Sequence, residues 1–96
     1  MKDDLLALQD YNLWANRLLL ASLAPLSHDD YVREAPAGAP SIRTTLVHLA
    51  GATRAWADRF EGRDATRLPA VDEVPTFADA AAMLNDADAR IAAWVA

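Results

Sequence analysis

The sequence predicts an all-α protein, and three observations carry that expectation. Apolar residues recur at spacings of three and four along three long segments. Good N-cap residues, Ser41 and Thr76, stand directly in front of two of those segments. No stretch shows the sustained alternation of a half-buried strand. Three helices with wide apolar faces leave part of those faces uncovered, so the expectation is three helices of an incomplete four-helix bundle.

The first segment is expected to be helical from about Asp3 to Ala24. Leu8, Tyr11, Ala15, Leu18 and Ser22 form its expected inner stripe, broadened by Leu5, Trp14, Leu19 and Leu23. Asp3 and Asp4 lie in the first turn, where negative charge favours the helix dipole. Pro25 ends it. The connection Leu26–Pro40 contains one capped turn, with Ser27 before His28–Tyr31 and Asp30 in the capping-box position. The run EAPAGAP then interrupts regular structure.

The second long helix begins after Ser41. Ile42, Leu46, Leu49, Thr53, Trp56 and Phe60 mark its expected buried stripe, and Gly62 is its natural stop. At about 100° per residue, His48 lies roughly 120° from the centre of that stripe. Gly51, inside the helix, suits a close approach by another helix, a packing role. Arg63–Pro75 reads as an irregular connection. The third helix starts at Thr76, with Phe77, Ala80, Leu84, Ala87, Ile91 and Trp94 on its inner face and an Asp86–Arg90 pair at helical spacing. The three tryptophans, Trp14, Trp56 and Trp94, fall on or near these inner faces and read as core. The periodic pattern is still running at Ala96.

Composition sets the outer limits. Ninety-six residues allow one domain, and 53% hydrophobic content is enough to give it a core. A net charge of −5 argues against nucleic acid, which needs a concentrated positive face. There is no cysteine, hence no disulfide and no thiolate. The N-terminus lacks the basic region of a signal peptide, and no apolar run reaches the ~18 residues of a membrane span. The expectation is a cytoplasmic protein with no nucleic-acid or membrane partner.

Chemistry-bearing residues are few. His48 reads either as a metal ligand or as a half-buried histidine bonded to a carbonyl or carboxylate. No second histidine stands three or four residues away. His28, beside Asp29 and Asp30, reads as an exposed loop residue. Asp29, Asp30 and Glu34 lack the ordered spacing of a calcium loop. No nucleophile elbow or Gly-rich phosphate loop is present.

The runs YNLWANRLLLASLAPLS and SIRTTLVHLAGATRAWADRFEG together resemble the DinB-like family of metal-binding four-helix bundles. The resemblance rests on Tyr11, Trp14 and Ala15–Asn16, then on Ser41–Ile42, Thr45–Leu46, His48–Leu49, Trp56 and Gly62. It covers about residues 8–62, with 76–96 matching only as a helix in the right place. It implies an up-down-down-up bundle in which His48 is the first of three histidines binding a divalent metal, zinc or nickel. It also implies thiol-dependent transferase or isomerase activity with low-molecular-weight bacterial thiols in some members. The other two histidines of the family lie on a fourth helix, which this sequence does not reach. The resemblance therefore implies one DinB-like domain over 1–96, truncated at its C-terminus, with an incomplete metal site and no tight metal binding by this chain alone. The competing expectation is a non-enzymatic helical module that forms a homodimer through its uncovered apolar faces.

Overall fold

The structure, a computed structural model, describes all 96 residues. Four α-helices follow in order: α1 (Lys2–Leu23), α2 (His28–Val32), α3 (Ile42–Phe60) and α4 (Phe77–Val95). Single 3₁₀ turns at Pro36–Gly38 and Val71–Glu73 lie within the two connections expected to be irregular, and there is no strand. No helix is long and apolar enough to cross a membrane.

The helix ends follow local chemistry. Ser41 Oγ accepts the Thr44 N–H at 3.0 Å, and Thr76 Oγ1 accepts the Asp79 N–H at 3.1 Å. Ser27 does the same for Asp30, which makes the expected turn a short helix. Each bond satisfies one of the orphan donors of a first helical turn. α3 stops where Gly62 takes φ +78°. There the Arg63 N–H reaches back to the Asp58 carbonyl and the Gly62 N–H to the Arg59 carbonyl, the paired bonds of a Schellman ending. In α1, the Ala24 N–H bonds the Leu20 carbonyl before Pro25 cuts the helix off.

The core lies mainly between α3 and α4. α3 buries Leu46, Val47, Ala50, Ala55 and Ala57, while α4 buries Ala80, Leu84, Ala87 and Ile91. The prevalence of alanine lets two backbones approach closely, so each larger side chain supplies a big share of the buried area. α2 caps this pair. Its Tyr31 is fully buried and meets Phe77 edge-on, with ring centroids 5.8 Å apart. α1 packs on α4 rather than on α3, adding Leu20 to the core.

The helix faces differ from the expected ones. On α1 the packed residues are Leu6, Gln9, Leu13, Asn16, Leu20 and Leu23, also at three- and four-residue spacing. The expected inner residues Leu8, Tyr11, Leu18 and Ser22 point to solvent. On α3 the buried face is rotated from the expected stripe: Leu46 is buried and Leu49 and Thr53 are half-buried as expected, whereas Ile42, Trp56 and Phe60 are exposed. The α4 face is as expected except for Trp94, which is half-exposed. All three tryptophans are more than half-exposed, against the expectation that they belong to the core. For α3 and α4 the physical reason lies in the seam between them. The face of α3 that carries Val47, Ala50 and Ala57 makes the contact with α4, and Phe60 and Trp94 stack on each other at the edge of that contact, ring centroids 4.8 Å apart, where one side of each ring stays in solvent.

Candidate functional site

His48 lies on a third side of α3, turned away from α4 and beside the exposed aromatic stripe. It is exposed. With Ala52, Trp56 and Arg59 it forms one wall of an open recess of about 410 Å³, whose other wall is the chain from Ala65 to Leu68. The Arg59 guanidinium sits over the Trp56 ring, 4.9 Å from its centre. No group of three or more His, Asp or Glu side chains stands together as a metal site anywhere in the chain. His28 is on α2 at the protein surface. Of its acidic neighbours, Asp30 is paired with Arg33 at 2.7 Å. The structure thus brings neither His28 nor these acids to His48.

The far wall of the recess is held in place by a carboxylate hub that spacing alone did not reveal. Asp58, buried on α3, accepts the Thr66 N–H at 2.8 Å and the Thr66 hydroxyl at 2.7 Å. Its other oxygen accepts from the Arg90 guanidinium of α4 at 2.6 Å. Arg90 also donates to Glu61, and Arg63 closes on Glu61 from outside. Arg90 therefore reaches across to α3 instead of pairing with Asp86 on its own helix. Beyond Thr66 the chain is fastened by a two-pronged Arg67–Glu73 pair at 2.8 and 2.9 Å. It then lays Pro69 against Gly51, so the close approach at this glycine comes from the connecting segment and not from another helix.

Hydrogen bonds from Arg90 and Thr66 hold the Asp58 carboxyl well below the usual carboxylate range. Those from Arg90 and Arg63 pull Glu61 down from 4.5 to about 2. A carboxylate with a depressed folded pKa stabilises the fold above its unfolded pKa, and that contribution fades as pH falls through the folded one. For Glu61 the window runs from 4.5 down to about 2, and Asp58 extends it to more acid pH. Asp58→Asn is expected to lower the melting temperature at neutral pH and to flatten its fall over that window. Thermal unfolding of both proteins across the range checks this. Superimposable curves would show that the hub holds nothing.

A second polar cluster lies between α1 and α4. Asp88 is buried, accepts from the Asn16 amide at 2.9 Å, and uses its backbone carbonyl to accept from Gln9 at 3.4 Å. Its Oδ1 has no partner. Burial pushes this carboxyl up, against the opposing effects of Asn16 and Arg17. Gln9 and Asn16 lie seven residues apart within the packed α1 stripe. That interval is present in the sequence, but the apolar stripe beside it is the stronger periodic signal.

A sequence model of the DinB family matches residues 1–96. No curated protein and no solved structure matches the chain. With four helices, no strand and a family match along its whole length, the chain belongs to the DinB family.

Proposed function

We propose that this chain is a helix-accepting module: its working form carries one more amphipathic helix in the groove between α1 and α3. The observation that supports this reading is the groove itself. Leu19 and Leu23 of α1 face Ile42 and Leu49 of α3 across one end of it. A separate apolar recess opens toward the other end of α1, between Leu5 and Leu8 of that helix and Phe60 of α3 and Trp94 of α4. In a bundle, such an apolar channel between two long helices is the position of a further helix.

A second reading is favoured by the place of His48, exposed in the open recess between α3 and the chain from Ala65 to Leu68. There it would supply one imidazole to a divalent metal, zinc or nickel. The residues present do not fit a complete site, because a catalytic zinc takes three protein ligands and this recess offers one. Any remaining ligands would come from outside α1–α4. Thiol-dependent transfer or isomerisation belongs to such a completed site, and no step of it is assigned to these residues.

Elemental analysis of the purified chain tests the division of ligands. Fewer than about 0.1 zinc or nickel ions per chain are expected after gel filtration, since a single imidazole does not make a closed site. One ion per chain, lost in His48→Ala, would mean that α1–α4 suffice and would overturn this reading.

A further inference from the structure

The largest recess of the molecule, about 520 Å³, lies between α1 and α4. That size falls within the range of small-molecule sites, roughly 300–1,000 Å³. It shares no lining residue with the groove or with the His48 recess.

Its shape follows from the sequence. Asn85, Asp88, Ala89 and Ala92 recur at three- and four-residue spacing, so they share one face of α4 over two turns, about 10 Å. Leu13 and Arg17, one turn apart, form the α1 wall. The two alanines are too short to reach across to α1, which leaves the hollow.

Two charged groups border this hollow without meeting. Asp88 is only 3% exposed. The Asn16 amide holds its Oδ2, while Oδ1 is buried with no partner in the chain. Folding has taken this acceptor out of water without replacing its hydrogen bonds, which is costly. Arg17 is exposed and takes part in none of the chain's ion pairs. Its charge acts on the Asp88 carboxyl without a bond between them. Asn85 adds an exposed amide.

We infer that this recess binds a free α-amino acid, with its ammonium group on Asp88 Oδ1, its carboxylate on Arg17 and an aliphatic side chain along Leu13, Ala89 and Ala92. The site is independent of the groove and of His48.

Charge chooses among the ligand classes. A simple carboxylate would satisfy Arg17 but bring a like charge to Asp88. A simple amine would satisfy Asp88 but meet the Arg17 cation. A zwitterion carries both charges about one carbon and answers both side chains with charge-assisted hydrogen bonds. Arg17, unpaired and on a flexible stem, can follow the ligand's carboxylate as the ammonium enters.

Titration of the intact, isotope-labelled chain with L-leucine, followed by amide chemical shifts, tests the inference. Shifts that saturate below about 10 mM and cluster around Arg17 and Asp88 are expected. Arg17→Gln changes an exposed position, and Asp88→Asn keeps an acceptor for Asn16. Each should weaken binding about tenfold or more, with helicity unchanged by circular dichroism. Isocaproate lacks only the ammonium group and isoamylamine only the carboxylate, and each should bind at least about tenfold more weakly than leucine. Failure of leucine to saturate the shifts by about 10 mM overturns the inference. Isocaproate binding as tightly as leucine would reduce the site to an anion contact on Arg17 and overturn it too. Leucine binding indifferent to Arg17→Gln does the same, and this holds even where Asp88→Asn fails to fold.

Discussion

Leu84→Ala is expected to cost about 3–4 kcal/mol, a large part of the stability of so small a domain. Leu84 is completely buried in the cluster that also holds Tyr31, Val47, Ala50 and Ala80. Its size matters because its neighbours are small. Tyr31, Leu84 and Val47 are among the few larger side chains with essentially no exposure. Collapse onto the vacated space would require α3 and α4 to close further, and their alanines already bring them together. The loss should therefore stay clear of the lower end of the range seen for such truncations. Urea unfolding followed by circular dichroism measures it from the shift in midpoint at constant slope. A loss below about 1 kcal/mol would mean that the α3–α4 seam relaxes freely and is not the core described.

Gly51→Ala separates two opposed effects. Helix propensity alone predicts a gain of about 1 kcal/mol, because glycine is a poor helix former. Packing predicts the opposite. A methyl group at Gly51 would lie 2.5 Å from Pro69 Cδ and 3.2 Å from its Cγ. The proline ring is stiff, and its chain is anchored by Thr66 on Asp58 and by Arg67 on Glu73. Overpacking of this kind costs typically ~1–3 kcal/mol, so the net expectation is a loss of about 1–2 kcal/mol. Pro69→Ala removes the obstructing ring atoms, so Gly51→Ala made in that background should be neutral or stabilising. The same urea titrations decide it. A stabilised single variant would show that the Leu68–Pro69 segment yields at no cost.

What the sequence disclosed depended on how local the cause was. The caps at Ser27, Ser41 and Thr76 and the stop at Gly62 are local chemistry, and each is found where expected. The face of α4 was legible because its small and large apolar residues share one stripe. The faces of α1 and α3 were not. Periodicity reports that a side of a helix is apolar, not which neighbour covers it. On α3 the aromatic stripe is the stronger signal, yet the alanine face makes the contact with α4. The Asp58–Arg90 bond spans 32 residues and leaves no trace in local spacing. The position of His48 on a third side of α3 followed from its angle. What else it meets depends on surfaces outside that helix.

The amides Gln9 and Asn16 decide how far α1 can slide along α4. Leu6, Leu13 and Leu20 repeat every seven residues, so apolar contact alone cannot tell one placement of α1 from another displaced by about 10 Å. Asp88 can. In the observed placement its carboxylate meets the Asn16 amide and its carbonyl meets Gln9. Moving α1 by one repeat in one direction would bring Leu23 to the place of Asn16 and set a buried carboxylate against a hydrocarbon side chain. Moving it in the other direction would bring Lys2 to the place of Gln9 and the longer Gln9 into the space of Asn16. The carboxylate that packs least comfortably in this seam thus acts as a detent, fixing the one alignment in which an otherwise repetitive helix can rest.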